Sequence, residues 1–216
     1  MRGQFQEDLD GVRNTLVEMA GRVKVAMENT TTALLTADLA LAEKVIAEDA
    51  IIDEIQHELD ARTINLIARQ SPVATDLRIL ISSLRMSADL ERMGDLADHV
   101  AKLARMRYPA TAVPPELALT IEEMGRVCVK IVEKTALVVS NRDAQLAQEI
   151  EKDDDEIDAL HRKIIQTLLE PGWAHGIETA IDMTLLGRYY ERCADHAVSI
   201  ARRIEFLVTG QFTRKS

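Results

Sequence analysis

Two parts of this sequence match each other, and this internal repeat limits the possible folds more than any other feature. At an offset of 105 residues, Asp38 matches Asp143, and both residues precede a helical pattern as an N-cap would. After a turn that is five residues shorter in the second part, the offset becomes 100, and Glu91 matches Glu191. Shared caps and shared acidic positions indicate the duplication of one structural unit.

The repeated unit is helical. Aromatic residues make up only 3% of the 216 residues, and the 9 glycines and 5 prolines leave long stretches without helix breakers. Asp38 predicts the start of one helix, Ser71-Pro72 predicts the start of another, and Gly210 predicts a C-cap. The apolar periodicity predicts six helices, over about residues 4–36, 39–70, 71–107, 116–140, 143–169 and 177–209.

Three of the five prolines lie within residues 108–115, which marks a linker between two sets of three helices. We therefore expect an all-α fold made of two tandem, pseudo-symmetric three-helix bundles, with six long helices in total. On this division the first repeat covers residues 1–110 and the second covers residues 111–216.

The charge and the cysteine content exclude several classes of protein. A formal net charge of −10 argues against nucleic-acid binding, which usually needs a basic face. No signal peptide is recognisable, and no apolar run approaches the roughly 18 residues that span a bilayer. Cys128 and Cys193 form no metal-ligand or disulfide motif, which is typical of a reducing compartment. We expect a soluble, cytoplasmic protein.

Each repeat carries two pairs of acidic residues at i,i+4 spacing. This spacing places both carboxylates of a pair on one helix face, where their repulsion costs about 0.2–0.5 kcal/mol per pair. A cation, either a basic side chain or a metal ion, would remove that cost. The four pairs are Asp49 and Asp53, Glu91 and Asp95, Asp154 and Asp158, and Glu191 and Asp195.

The pairs on the second, third and sixth predicted helices border an apolar helical stripe, so the acids of two neighbouring helices are expected to meet beside one seam of each bundle. Clustered carboxylates suit iron, manganese, magnesium, calcium or zinc. A solvated acidic border that pairs with Arg92, Arg192 or nearby lysines is the competing interpretation, because isolated acid pairs of this spacing arise by chance. Asp98 and Lys102 fit an ordinary surface salt bridge.

The histidines leave a second interpretation open. Glu54 precedes His57 by three residues, and Asp158 precedes His161 by three, as in the Glu-x-x-His ligands of carboxylate-bridged di-iron bundles. The companion glutamates of such a site are not evident in the sequence. His99, four residues after Asp95, could extend the first acidic site, but the second repeat has Ser199 in its place. A carboxylate-bridged di-iron or ferritin-like metalloprotein is therefore the alternative function.

Three strings resemble the PhoU family. They begin with Ser71-Pro72-Val73-Ala74-Thr75-Asp76-Leu77-Arg78. The second is Asp89-Leu90-Glu91-Arg92-Met93-Gly94-Asp95-Leu96-Ala97-Asp98-His99, and the third is Tyr189-Tyr190-Glu191-Arg192-Cys193-Ala194-Asp195-His196-Ala197. Together with the two three-helix halves, these strings extend the resemblance over nearly the whole chain. The family's E(D)xxxD motif falls on the four acidic pairs, although Asp89 aligns with Tyr189.

The resemblance implies a non-enzymatic, cytoplasmic regulator of phosphate homeostasis. Such a protein modulates high-affinity phosphate uptake and negatively regulates the phosphate-starvation two-component response. The implied partners are the ATPase subunit of the Pst phosphate ABC transporter and a membrane sensor histidine kinase, which would bring the protein to the inner membrane face. The resemblance also implies a homodimer and iron or zinc at the acidic pairs, with a metal-free state as the alternative.

Overall fold

Six helices and no strand make up the part of the chain that the computed structural model describes, which is residues 2–210. The ends of the two expected repeats, at residue 1 and residues 211–216, lie outside this range. The helices are α1 (Arg2–Thr36), α2 (Leu39–Gln70), α3 (Ala74–Arg107), α4 (Pro115–Asn141), α5 (Ala144–Leu168) and α6 (Gly176–Thr209). None of these helices is both long and apolar enough to cross a membrane.

The predicted caps explain where several helices begin and end. Asp38 accepts a hydrogen bond from the backbone N–H of Leu41, and Asp143 caps α5 in the same way. Gly210 closes α6 with a left-handed φ of 73°, and its N–H donates to the Phe206 carbonyl. The repeated aspartate and the terminal glycine therefore have the roles that the sequence predicts.

The predicted start of α3 at Ser71-Pro72 is wrong. Ser71 instead ends α2, because it adopts a left-handed conformation and donates its N–H to the Ile67 carbonyl. Val73 is extended, and α3 begins at Ala74. A proline does occupy the start of a helix at Pro115, one residue before the predicted start of α4.

Helices α1, α2 and α3 pack on one another, and α4, α5 and α6 do the same. Helix α1 also packs on α4, and α3 packs on α6, so that the two three-helix bundles lie side by side around a continuous apolar core. The expected all-α architecture of two pseudo-symmetric three-helix bundles is confirmed. Because α3 and α6 face each other, the acidic segments of both repeats lie near the junction between the bundles.

Close helix packing and a buried hydrogen bond contribute to the junction. The hydroxyl groups of Thr31 on α1 and Tyr190 on α6 lie 2.7 Å apart, and Tyr190 is fully buried. Gly125 lets α4 approach α1, since a Cβ there would lie 2.4 Å from Cγ2 of Thr31. The glycine is thus required by packing rather than by backbone conformation.

Candidate metal centre

Helices α2 and α3 bring together three of the four acidic residues that the first repeat contributes. Asp53 on α2 and Glu91 and Asp95 on α3 each offer a carboxylate oxygen, and these oxygens all lie within 4.8 Å of one another. Each of the three residues is partly buried. Carboxylate oxygens grouped in this way are the ligands that hard cations prefer.

Asp49, one turn before Asp53 on α2, lies against the backbone of α3. Its Oδ1 atom would be only 3.3 Å from a Cβ placed on Gly94, so that the absence of a side chain at Gly94 makes room for the carboxylate. Burial, together with the nearby charges of Asp98, Asp53 and Asp95, raises the pKa of Asp49 to about 6. Asp49 therefore shares the electrostatic environment of the three-carboxylate group.

Glu91 experiences the same environment more weakly. Burial raises its pKa, and the charge of Asp95 adds to the increase, while the nearby guanidinium of Arg92 opposes it. Arg92 donates from Nη1 to Asp95 Oδ2 over 2.7 Å, but its own side chain is 61% exposed. An exposed arginine is free to leave a carboxylate when a metal ion competes for it. Pairing with a basic side chain and binding of a metal ion therefore involve the same carboxylate oxygens.

Asp98 corrects one expectation from the sequence. It does form an ion pair with Lys102, at 2.5 Å between Oδ2 and Nζ, but only 4% of its side chain is exposed, so the pair is not a surface salt bridge. Its other oxygen, Oδ1, is buried without a hydrogen-bond partner among the described residues. A half-satisfied buried carboxylate next to Asp49 adds negative potential to the site.

His99 does not extend this group. Its Nδ1 atom donates to the backbone carbonyl of Asp95 at 2.5 Å, and its ring packs edge-on against Tyr189 with the ring centroids 5.3 Å apart. The ring is therefore held at the junction of the bundles. This arrangement explains why no histidine is required at the equivalent position, Ser199.

A cleft of about 410 Å³ between α1 and α2 reaches Asp49 from the side. Asp49, Ile52 and Gly94 form part of its wall, and Arg22 and Lys44 also line it. The cleft gives Asp49 contact with solvent. Asp53, Glu91 and Asp95 do not line this cleft.

The second repeat places its four acidic residues differently. Glu191 forms an ion pair with Arg188, Asp195 is exposed, and Asp154 is buried in the wall of a cavity that also includes Arg202. Within residues 2–210, no group of three ligand atoms includes any of Asp154, Asp158, Glu191 and Asp195. Metal binding by the second repeat stays a prediction. The arrangement of its side chains supports a metal site less strongly than the arrangement in the first repeat does.

Three differences between the repeats account for this asymmetry. Each is found by comparing a residue of α6 with the residue of α3 that lies 100 positions earlier. The cation Arg188 stands where the first repeat has Ala88, the apolar Val198 stands where it has Asp98, and Ala194 stands where it has Gly94. Each change either adds positive charge, removes negative charge or narrows the space beside the acids.

The histidines of the di-iron alternative lie elsewhere. Glu54 and His57 are both exposed on α2, and neither belongs to the three-carboxylate group. His161 packs against α6, where a Cβ on Gly187 would lie 2.8 Å from its Cδ2 atom. His161 thus fills a contact between α5 and α6 at a partly buried position.

Two clusters, one at the junction and one inside the second bundle, were not recognised from the sequence. Asp89 on α3 accepts hydrogen bonds from His196 Nδ1 at 3.0 Å and Ser199 Oγ at 2.9 Å, both on α6, with Arg203 at 3.4 Å. This contact between the bundles explains why Asp89 has no acidic counterpart in the repeat. Cys128 and Cys193 are buried, and the contact between their sulfur atoms raises the pKa of Cys193.

Comparisons with known proteins agree with this two-bundle arrangement. The family model described as PhoU domain matches twice, at residues 16–104 and 121–204. A Mycobacterium tuberculosis protein named phosphate-specific transport system accessory protein PhoU homolog 2 is 45% identical over 98% of the chain and 100% of its own length. PhoU homolog 1 of Mycobacterium leprae is 44% identical over 98% of the chain and 96% of its own length.

Solved structures show the same fold. The crystal structure of PhoU from Pseudomonas aeruginosa superimposes with a TM-score of 0.86 at 29% identity, covering 96% of this chain and 100% of the other. The phosphate transport system regulatory protein PhoU from Streptococcus pneumoniae gives a TM-score of 0.85 at 25% identity, covering 98% of this chain and 100% of the other.

Proposed function

Because the chain belongs to the PhoU family, we propose that it is a non-enzymatic regulator of phosphate homeostasis. The observation that carries this proposal is the match of both halves, along nearly the full length, to relatives named as accessory proteins of the phosphate-specific transport system. In this role the protein modulates high-affinity phosphate uptake and negatively regulates the phosphate-starvation two-component response.

The proposed partners are the ATPase subunit of the Pst transporter and the sensor histidine kinase of the phosphate response, both reached from the cytoplasm. Exposed helical faces support docking. Ile177 and Ile181, one turn apart on α6, are 81% and 54% exposed, and Leu185 continues the row at 40%. An apolar row of this kind on a helix surface is typical of a protein-interaction site. We also expect a homodimer, which light scattering of the purified protein measures.

The docking proposal is tested by pull-down with the purified ATPase subunit and with the cytoplasmic part of the kinase. Charge reversal by Glu91→Lys and Glu191→Lys should weaken capture of at least one partner, whereas Glu58→Lys on the exposed side of α2 should not. No capture of either partner by the unaltered protein, or equal capture by all variants, would show that the protein does not act by docking in this way.

We further propose that Asp53, Glu91 and Asp95 bind a metal ion, with Asp49 beside them. The fit is supported by the 4.8 Å grouping of their oxygens. The raised pKa values of Asp49 and Glu91 agree with it, since burial and the charges of neighbouring carboxylates both disfavour the ionised form in the absence of a cation. A bound cation supplies positive charge that offsets the repulsion between α2 and α3. The carboxylate oxygens accept iron or zinc, and magnesium, manganese or calcium are compatible with the same donors.

Thermal unfolding before and after chelation tests the metal proposal. Removal of the ion should lower the melting temperature, and return of iron or zinc should restore it. If the protein as purified contains no metal and added ions leave its melting temperature unchanged, the metal proposal fails while the docking proposal stands.

A further inference from the structure

A groove lies between the first half of α3 and the last turns of α6, at the end of the α3–α6 pair near Ser71. Its volume is about 440 Å³. Leu77 and Ile81 of α3 and Phe206 of α6 form an apolar floor. The groove lies away from the three-carboxylate group, and none of its lining residues belongs to that group.

Three arginines line this groove, and no carboxylate does. Arg85 forms no ion pair or hydrogen bond with another described residue, and Arg78 reaches only the Thr75 hydroxyl, at 3.5 Å. The Arg78 guanidinium also lies 6.0 Å from the centre of the Phe206 ring. Arg203 alone has an acidic partner, Asp89, at 3.4 Å. In a chain of net charge −10, the groove is therefore a local site of uncompensated positive charge.

The fold does not require these arginines. The equivalent positions of the other repeat lie at the opposite end of the α3–α6 pair. They hold Glu178 in place of Arg78, Leu185 in place of Arg85 and Leu103 in place of Arg203. The arginine found there, Arg107, is paired with both Glu178 and Asp182, at 2.6 Å in each case. The two ends have the same helix pairing but opposite charge, so the basic groove is a feature of one end only.

The dimensions of the groove indicate a small ligand. Its volume falls within the range of small-molecule sites, about 300–1,000 Å³. Only eight residues line it, whereas a stable protein interface has roughly 20–30 on each side. Free phosphate is far smaller than the groove and would leave the apolar floor uncovered. Planar guanidinium groups bind phosphate oxygens in pairs, and the floor suits an aromatic or aliphatic body.

We propose that this groove binds a soluble organic phosphate of about the size of a nucleotide, with its phosphates on Arg78, Arg85 and Arg203 and its apolar part on Leu77, Ile81 and Phe206. The site is independent of the proposed metal centre. Its ligand would give the protein a direct contact with a phosphorylated small molecule, separate from any partner protein.

Isothermal titration calorimetry of the full chain with ATP tests this proposal, in EDTA and at low salt. EDTA keeps metal ions off the acidic residues, so that any binding reports on the groove. Arg85→Leu copies the residue of the other repeat and should weaken ATP binding about 10-fold or more, as the loss of a charge-assisted phosphate contact does. Arg78→Gln should act in the same direction. Arg162→Leu, an equivalent change on the exposed surface of α5, should leave the affinity unchanged.

Adenosine and inorganic phosphate, titrated separately, should each bind at least 10-fold more weakly than ATP, because each lacks one part of the ligand. Absence of ATP binding up to millimolar concentration would overturn the proposal. Equal binding by Arg85→Leu, or equal affinity for inorganic phosphate alone, would overturn it too. Binding to phosphatidylglycerol vesicles that depends on Arg85, without ATP binding, would assign the groove to a membrane surface instead.

Discussion

Arg188 forms an ion pair with Glu191 in α6, and the first repeat has Ala88 at the position of Arg188. The arginine lies on the same helix face as the glutamate, one turn earlier, where its guanidinium neutralises the Glu191 carboxylate. Glu91, the equivalent glutamate, has no such partner one turn before it. Of the three differences between the repeats, this one adds a positive charge directly to the acidic residues of the second repeat.

Transfer of the arginine to the first repeat should therefore weaken its metal site. Ala88 is exposed, so Ala88→Arg can be accommodated, and its guanidinium would pair with Glu91. We expect the affinity for a divalent ion to fall up to about 5-fold, in keeping with the roughly 1 kcal/mol at most of an exposed ion pair. Competition with a fluorescent chelator measures the change. Ala61→Arg, also exposed but on α2 beyond the acidic pair, is the control, and an equal loss of affinity there would contradict the explanation.

The raised pKa of Asp49 predicts how stability depends on pH in the absence of metal. The folded protein holds the Asp49 proton up to about pH 6, whereas the unfolded chain loses it near the ordinary value of 3.8. The ionised carboxylate therefore destabilises the fold above pH 6, and this penalty disappears as the pH falls from 6 to 4.

Asp49→Asn should consequently be more stable than the unaltered protein at pH 8, by about 1 kcal/mol once solvent screening is allowed for. The difference should vanish near pH 4. Urea unfolding in EDTA at both pH values measures it, with Glu48→Gln as the control on the exposed side of the same helix turn. A difference that does not depend on pH would show that Asp49 is not held at a raised pKa.

The repeat also predicts the effect of removing Asp98. Val198 occupies the equivalent position and is 5% exposed, so a buried valine fits this place in the fold. Asp98→Val should leave the free energy of unfolding within about 1 kcal/mol of the unaltered value or raise it, because a half-satisfied buried carboxylate is replaced by an apolar side chain. Lys102 stays solvated, since its side chain is 51% exposed. A loss of 3 kcal/mol or more, on the scale of a broken buried pair, would mean that the ion pair is essential.

Two glycines in the middle of helices should respond in opposite directions. Gly125→Ala places a methyl group against Thr31 and should lower the free energy of unfolding by about 1–3 kcal/mol. Gly21→Ala meets no atom within 4 Å and should raise it by up to about 1 kcal/mol through helix propensity. Urea denaturation of the two variants side by side gives both values. Stabilisation by Gly125→Ala would show that α1 and α4 are not in close contact.

Helix boundaries could be predicted from the sequence where a cap has a single structural meaning. Asp38 and Gly210 are such residues, because a side-chain acceptor before a helix and a glycine after one have few other uses. Ser71-Pro72 was misplaced, because a proline after a helix end and a proline at a helix start give the same local pattern. Only the left-handed conformation of Ser71 separates the two cases.

The candidate site was predictable only in part. The i,i+4 spacing identifies Asp53, Glu91 and Asp95 as candidates, since the two acids of each pair must share a helix face. The recurrence of acidic pairs at equivalent positions of the second repeat adds to that signal. Spacing does not show how deeply a helix face is buried, so the surface position that it predicts for Asp98 is wrong. It also does not show which cations reach the acids, and the neutralising contact of Arg188 with Glu191 became visible only in three dimensions.

The most direct test of the central claim is the metal content of the protein and of variants in each repeat. After loading with ferrous iron or zinc and desalting, mass spectrometry should find at least one ion per chain. Asp53→Asn together with Glu91→Gln should abolish this binding, whereas Asp158→Asn together with Glu191→Gln should leave it nearly unchanged. No bound metal in the unaltered protein, or equal loss in both double variants, would contradict a metal centre in the first repeat.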